Sequence, residues 1–389
     1  MRKKSTTNFI VFIIIVLMYF IPKYLEFTTY NYYEEVRTVI HVLKNISYVC
    51  AAAWYLLKVI YKGKYSFKYM IAICFATIYL SYQAFLEDVK AIFVVFLLSL
   101  IFDERYLYRY VRTIFSCSCI LYIFTIISCR IGIIENTVAN REKFGDIWTA
   151  GGNGFEYSGQ MIMMLIPIVF MYYFLRRNKI TLLDNLLWIG ITFVVFLQCK
   201  TITGAVLILL FIFSFSFINC KGIRTRIIKS KFVKMLPVVS CSVIVLLELL
   251  YRRRLSCMVT IDQLLNGRLS VTDRIIDRYG IWLWGSSFEN NTLDGKYEII
   301  DSEYLYNALN AGVIYLIVSL VFCVLIVRYV QKKHDACLTL IWSMIFINAI
   351  INNGIWGIVM NPFSILLVPA LKDYFVERKK LIICARKKE

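Results

Sequence analysis

Residues 251–312 read YRRRLSCMVTIDQLLNGRLSVTDRIIDRYGIWLWGSSFENNTLDGKYEIIDSEYLYNALNAG. The polar part of this stretch, 252–303, separates two long apolar runs, about 235–251 and 304–327. A helix needs about 20 apolar residues to cross a bilayer, so apolar runs joined by polar connectors are typical of membrane helices and their loops. The stretch therefore predicts a large loop between two membrane helices.

The composition agrees with a membrane protein. Hydrophobic residues make up 60% of the 389 and charged residues only 18%, with a mean hydropathy of +0.67, which exceeds what one soluble core requires. The apolar runs are continuous rather than alternating, which favours helices over a β-barrel. We predict an all-α, polytopic transmembrane bundle of about twelve helices that forms one domain over residues 1–389.

Basic residues orient this bundle. The net charge of +19 is concentrated in alternate connectors and at both ends, as in Arg2–Lys4 and Arg378–Lys380. Connectors rich in Lys and Arg stay in the cytoplasm, so both termini are predicted to be cytoplasmic. This places two large loops, 130–160 and 252–303, outside the cytoplasmic membrane. The charge is explained by orientation, and no nucleic-acid partner is expected.

Arginines in the outer loops run against the orientation rule. The set comprises Arg141, Arg252, Arg253, Arg254, Arg268, Arg274 and Arg278. One interpretation is anion binding, because guanidinium makes bidentate, charge-assisted hydrogen bonds to phosphate. The other is a solvated loop in which Asp262, Asp273 and Asp277 form surface pairs with these arginines. Arg252–Arg254 also suit the end of a helix at the membrane surface.

Carboxylates gather near the end of the main loop: Asp294, Glu298, Asp301 and Glu303. A carboxylate among apolar neighbours can act as a general base, and Asp301 shares a helix face with Tyr304. The alternative is that Asp301 or Ser302 only caps the following helix.

Other ionisable residues fall in or near the apolar runs or in the first outer loop: His41, Lys44 and Glu248, and the pair Glu34–Glu35. Ionisable groups inside membrane spans are costly and often functional, although Lys44 can snorkel to the surface. Most of the twelve cysteines lie in apolar runs, where Cys is a small hydrophobe. The chain has no HExxH, paired CxxC, EF-hand or Walker motif, so no metal or cofactor is expected.

Three segments resemble the O-antigen and capsular repeat-unit polymerases, which are relatives of the O-antigen ligases. In the main loop, NGRLSVTDRIIDRYGIWLWGSSF (266–288) is similar to the family's Gly-Arg, helix and Gly-rich turn, and DSEYLYNALNAGVIYL (301–316) to the segment that enters the next helix. GGNGFEYSGQ (151–160) resembles the Gly-Phe-rich stretch of the earlier loop. The same spacing from an Arg to a Gly occurs in both loops, as Arg141 with Gly152 and Arg274 with Gly285. The ligases carry a histidine where this chain has Asp301, which favours a polymerase.

The resemblance implies a glycosyltransferase that joins oligosaccharide repeat units linked to polyprenyl diphosphate, with inversion at the sugar carbon. Diphosphate binding would use Arg141, Arg268, Arg274 and Arg278, with Lys200 at the CKTITG tip, and Arg141 and Arg274 would also stabilise the leaving group. Asp301, or else Glu303, would be the base, and Glu303 and Tyr304 would hold the acceptor. The expected partners are the lipid-linked oligosaccharide and membrane lipid, with a chain-length regulator and a flippase as further candidates.

Two other functions stay open. A glycosyltransferase of the GT-C type would use a polyprenyl-phosphate sugar, with Glu34 and Glu35 as its acidic site. A flippase or transporter of lipid-linked oligosaccharides would show repeated halves, interrupted helices and intramembrane charge. The long outer loops favour an enzyme.

Overall fold

The computed structural model describes residues 2–62, 67–85, 90–143, 146–218, 221–265, 267–286, 292–293, 296–297 and 300–375. Helices dominate these residues. They are α1 (Arg2–Leu25), α2 (Glu34–Lys62), α3 (Phe67–Phe85), α4 (Ala91–Ile101), α5 (Leu107–Arg130), α6 (Ser158–Arg176), α7 (Leu182–Cys199), α8 (Ile202–Ile218), α9 (Lys221–Lys229), α10 (Lys231–Arg252), α11 (Ser256–Leu264), α12 (Arg268–Tyr279), α13 (Glu303–Tyr306), α14 (Val313–Lys332) and α15 (Ala336–Asn348), with a last helix over 367–375. The strands are β1 (Val138–Lys143), β2 (Asp146–Gly151), β3 (Thr292–Leu293) and β4 (Lys296–Tyr297).

The chain divides into two compact units, each assembled from separate segments. The first unit combines Met1–Lys64, Phe96–Arg224 and Gly357–Leu366, and the second combines Tyr65–Val95, Thr225–Trp356 and Leu367–Glu389. The predicted loop 130–160 belongs to the first unit and the predicted loop 252–303 to the second.

Seven helices of the described residues are long and apolar enough to cross a membrane: α1, α2, α5, α6, α7, α10 and α14. Helices α8 and α9 would make an eighth span if they form one bent span. This is the pattern of a multi-pass membrane protein. The predicted number of twelve spans is not confirmed, and neither is the orientation of the termini. Three further predicted spans are short apolar helices: α3, α4 and α15.

The predicted helix from Tyr304 to Val327 is interrupted. After α13 the backbone makes one π-helical turn, Asn307–Ala311, and breaks at Gly312, whose φ is +91°. A second segment fills the break: the N–H groups of Val313 and Ile314 donate to the carbonyls of Trp282 (3.1 Å) and Leu283 (3.2 Å). These bonds satisfy N–H groups that the first turn of a helix leaves without a partner. Apolar periodicity could not reveal this break, because both sides of it are apolar.

Side-chain caps mark the starts of three other helices. Thr181 and Asp184 form a reciprocal capping box at α7, Ser230 accepts from the N–H of Val233 at α10, and Asp335 accepts from that of Leu338 at α15. Near the end of the described residues, a 3-10 segment, Pro362–Leu366, precedes the helix over 367–375.

The middle of the loop 130–160 is a β-hairpin. β1 and β2 pair antiparallel, with Arg141 opposite Trp148. The irregular part, 152–157, pairs instead with the loop between α1 and α2: the N–H of Thr29 donates to the carbonyl of Gly154 (2.8 Å) and that of Glu156 to the carbonyl of Phe27 (3.1 Å). Two loops of the first unit therefore form one structure that the sequence did not predict.

Candidate functional site

The start of α12 is shaped by Asp262. This buried carboxylate accepts from the N–H groups of Leu269 (2.8 Å) and Ser270 (3.3 Å), while Gly267 turns the chain with a φ of +76°. The sequence had suggested Asp262 as a surface partner for an arginine, and this is wrong. Asp262 is a helix cap that acts from the neighbouring helix α11, and it fixes the direction in which α12 leaves the turn.

Asp262→Ala is therefore expected to destabilise α12 by about 1–2 kcal/mol, because two N–H groups lose their acceptor. Hydrogen–deuterium exchange of residues 268–279 should rise in this variant and stay near the wild-type level in Asp262→Asn, which keeps one acceptor oxygen. Unchanged exchange in Asp262→Ala would contradict the assigned cap.

Arg268, the first residue of α12, reaches the end of the main loop. Its Nε lies 2.8 Å from a carboxylate oxygen of Asp301, and both side chains are partly exposed. Its Nη1 is buried and has no hydrogen-bond partner among the residues that the structure describes. The geometry thus joins two predicted site residues that are far apart in the sequence, and leaves one guanidinium donor for a further acceptor.

Glu303 and Tyr304, which follow Asp301 closely in the sequence, are buried. A carboxylate oxygen of Glu303 accepts from the N–H groups of Gly354 and Ile355 (2.9 Å for the second), and the hydroxyl of Tyr304 donates to the carbonyl of Phe346 (3.3 Å). Of the two carboxylates proposed as a base, Asp301 is the more accessible and Glu303 is engaged with backbone. The side chain of Ser302 also bonds elsewhere, to the carbonyl of Ala349, so it does not cap α13.

Burial raises the pKa of Glu303 above its ordinary value, and the N–H groups of Gly354 and Ile355 offset this only in part. The folded protein therefore holds this proton more tightly than the unfolded chain does. The associated stability is fully present below the unfolded pKa, about 4.3, and decreases as the pH rises from there towards the raised folded pKa.

We expect Glu303→Gln, which keeps an acceptor oxygen without a titrating group, to have a flatter dependence of Tm on pH than the wild type. Melting in detergent from about pH 4.5 to 8 measures this. Glu35→Gln, at an exposed position, should keep the wild-type slope. Equal slopes in wild type and Glu303→Gln would show that Glu303 does not cause the pH dependence.

The other arginines of the main loop lie on α12 and at the end of α10. Arg252 bonds both Asp273 (3.2 Å) and Asp277, so for this residue the surface-pair interpretation is confirmed. Arg274 and Arg278 are exposed on α12, and Arg253 and Arg254 are exposed at the end of α10. Asp294 and Glu298 lie outside the described residues.

In the first unit, Lys200 lies at a strained turn between α7 and α8, with a φ of +52°. Its neighbour Thr201 is close to Gly159, because a Cβ added to Gly159 would lie 3.6 Å from the Thr201 hydroxyl. The tip that carries Lys200 therefore lies at the N-terminus of α6. A helix N-terminus carries positive partial charge and favours anions.

Buried polar side chains surround this helix start. The hydroxyl of Ser158 and the amide nitrogen of Gln160 are buried and have no hydrogen-bond partner within the described ranges. The amide of Asn153 donates to Gln198 (3.0 Å). Three of these four residues lie in the segment GGNGFEYSGQ (151–160), and Gln198 lies near the CKTITG tip. Their residue types alone had not predicted a role for any of them. Arg141 lies in β1, and its side chain is outside the described residues.

Of the remaining ionisable residues, Lys44 bonds Glu26, which also bonds Lys23 (2.7 Å). Burial would raise the pKa of Glu26, but the two lysines hold it below its ordinary value. Glu34, Glu35 and His41 are exposed on α2. Glu248 in α10 is 3% exposed, and neither carboxylate oxygen has a hydrogen-bond partner among the described residues.

The comparisons with known proteins leave the family open. No family model, curated protein or solved structure matches this chain. The resemblance to the repeat-unit polymerases therefore depends on the segments 151–160, 266–288 and 301–316 and on the repeated Arg-to-Gly spacing.

Proposed function

We propose that this protein is a polysaccharide polymerase, which joins polyprenyl-diphosphate-linked oligosaccharide repeat units into a surface polysaccharide at the outer face of the cytoplasmic membrane. The observation that supports it best is the Arg268–Asp301 ion pair, in which both side chains are partly exposed. Transfer from a diphosphate requires a cation at the leaving group and a carboxylate near the attacking hydroxyl. This pair supplies both groups within one short distance.

In the proposed reaction, a hydroxyl oxygen of the incoming repeat unit attacks the anomeric carbon of the growing chain. The bond from that carbon to the diphosphate oxygen breaks, and the diphosphate leaves with both bonding electrons. Asp301 accepts the hydroxyl proton, and Arg268 donates to the departing diphosphate, assisted by Arg274 and Arg278 on the same helix. Metal need not take part, since arginine can stabilise the developing charge.

Within the first unit, Lys200 and Arg141 are proposed diphosphate-binding residues. For Lys200 the support is its position beside the N-terminus of α6, where buried polar groups of Ser158 and Gln160 have no hydrogen-bond partner in the part of the chain that the structure describes. For Arg141 the support is the repeated Arg-to-Gly spacing alone. Glu303 is proposed to shape the loop at Gly354 and Ile355, and Tyr304 to pack beneath the acceptor.

The test is polymerisation by the purified protein in proteoliposomes supplied with lipid-linked repeat units. A ladder of longer glycans is expected, and it should be lost in the Asp301→Asn variant. If correctly oriented, folded protein yields no ladder of longer glycans, the proposed polymerase function is wrong. Full-length chains from Arg274→Ala would remove that residue from the diphosphate site.

A flippase of the same lipid-linked units is the second candidate, and two observations favour it. Interrupted helices and intramembrane charge are typical of transporters. In this protein a helix is interrupted at Gly312, and Glu248 is a buried ionisable residue in the candidate span α10. Translocation of a fluorescent lipid-linked oligosaccharide across the vesicle membrane, without any glycan ladder, would favour this function over the polymerase.

A further inference from the structure

Four consecutive large apolar side chains are exposed in the otherwise polar main loop. Ile281, Trp282, Leu283 and Trp284 are 47%, 62%, 62% and 55% exposed. We call residues 281–284 the aromatic segment. A contiguous apolar surface of this kind marks a contact with a partner or a membrane.

The aromatic segment is held in place by its backbone. Its carbonyls at Trp282 and Leu283 accept from Val313 and Ile314, and the next residues return to the helix break, where the N–H of Ser286 donates to the carbonyl of Leu309 (3.0 Å). The indole N–H of Trp282 donates to the carbonyl of Tyr279 (2.7 Å). The backbone of the segment is therefore fixed by hydrogen bonds, and the indole N–H of Trp282 already has an acceptor.

The bonds to Val313 and Ile314 also set the depth of the segment. α14 is one of the candidate membrane spans, and these are its first two residues. A segment bonded to the end of a span lies at the surface of the bilayer. Val313, Ile317 and Val321 follow one another at intervals of four along one face of α14, and Ile317 and Val321 are at least half exposed. The aromatic segment adjoins this exposed apolar stripe at the start of α14.

We infer that Ile281–Trp284 inserts into the interfacial layer of the lipid bilayer beside the start of α14. Tryptophan is enriched at this layer because its ring is apolar and its N–H is polar. The helix that precedes the segment exposes Arg274, Asp277 and Arg278, which suit the adjacent water and head groups. The main loop is thus anchored to the membrane between its two ends, whatever reaction the protein catalyses.

The test uses the full chain in phosphatidylcholine–phosphatidylglycerol nanodiscs, with the photocrosslinker p-benzoylphenylalanine in place of Leu283. Irradiation is expected to yield a phospholipid adduct, detected by mass spectrometry, at least tenfold more abundant than from the crosslinker at Arg274. Adducts to a second copy of the chain would overturn the inference, and so would a lipid yield equal to that at Arg274.

A second measurement does not need the unnatural residue. Brominated acyl chains quench tryptophans that lie in the bilayer, and Trp282→Tyr with Trp284→Tyr should lower the quenched fraction of the emission. If the double variant is folded and its quenched fraction equals that of the wild type, the two rings do not contact lipid.

Discussion

Arg268→Ala is expected to lower the rate of glycan polymerisation by about 10²–10³-fold, the usual effect of removing one donor to developing negative charge. The guanidinium has two roles in the proposed site. Its Nε lies 2.8 Å from Asp301 and orients that carboxylate, and the side chain is partly exposed, so that it would also donate to the diphosphate. Alanine removes both roles, and Arg268→Lys should recover little, because a point charge cannot hold a carboxylate and a phosphate in one fork.

The rate of appearance of the glycan ladder in proteoliposomes measures this effect. Arg253→Ala is the matched control, since Arg253 is an exposed arginine of the same loop, and its rate should stay near wild type. Gel filtration and melting confirm that Arg268→Ala is folded. A folded Arg268→Ala variant that keeps more than half of the activity would exclude this pair from the substrate site.

The polymerisation rates of the single and double variants at Arg268 and Asp301 also show whether the two residues act together. Arg268→Ala and Asp301→Ala combined should cost much less than the sum of the single effects on activation free energy, since the pair acts as one unit. Additive effects would mean that the two residues act independently, despite their contact.

Gly285→Ala is expected to prevent the helix break from forming and so to cause a large loss of stability in the second unit. Gly285 has a φ of +100°, in the region that favours glycine, and faces the break. A Cβ there would lie 2.9 Å from the carbonyl carbon of Ala311 and closer still to the carbonyl oxygen of Asn310. Backbone atoms cannot move aside as a flexible side chain can, so we expect a cost on the order of 3–5 kcal/mol.

Gly312→Ala should lower the stability by a similar amount, because a Cβ there would lie 2.6 Å from the carbonyl carbon of Trp284. Gly190→Ala is the matched control: it lies inside α7 with no atom near its added Cβ, and should be neutral or stabilise by up to about 1 kcal/mol. Melting in detergent, followed by gel filtration, compares the three. Wild-type melting in Gly285→Ala would show that the segment 281–286 does not pack against the break.

The sequence proposed candidate site residues from their chemical type and did not show which residue each of them contacts. Arg268 and Asp301 were both proposed from their chemistry, but their contact was not, because nothing in a linear pattern records which loop residue meets which. Arg252 had the same chemistry and pairs with Asp273 and Asp277 instead. The sequence did not single out Ser158 and Gln160, because polar residues are common at the start of a helix. Only the structure shows that their polar groups are buried without a hydrogen-bond partner among the described residues.

What the sequence by itself determined is the class of the protein: a helical chain with several membrane-length apolar runs and a long polar segment between two of them. These follow from residue composition and run length, which are local properties. Tertiary structure alone decided the break at Gly312, the burial of Glu303 and the meeting of Arg268 with Asp301. Each depends on a backbone or side-chain group that finds its hydrogen-bond partner far away along the chain, and such pairings arise only when the chain packs.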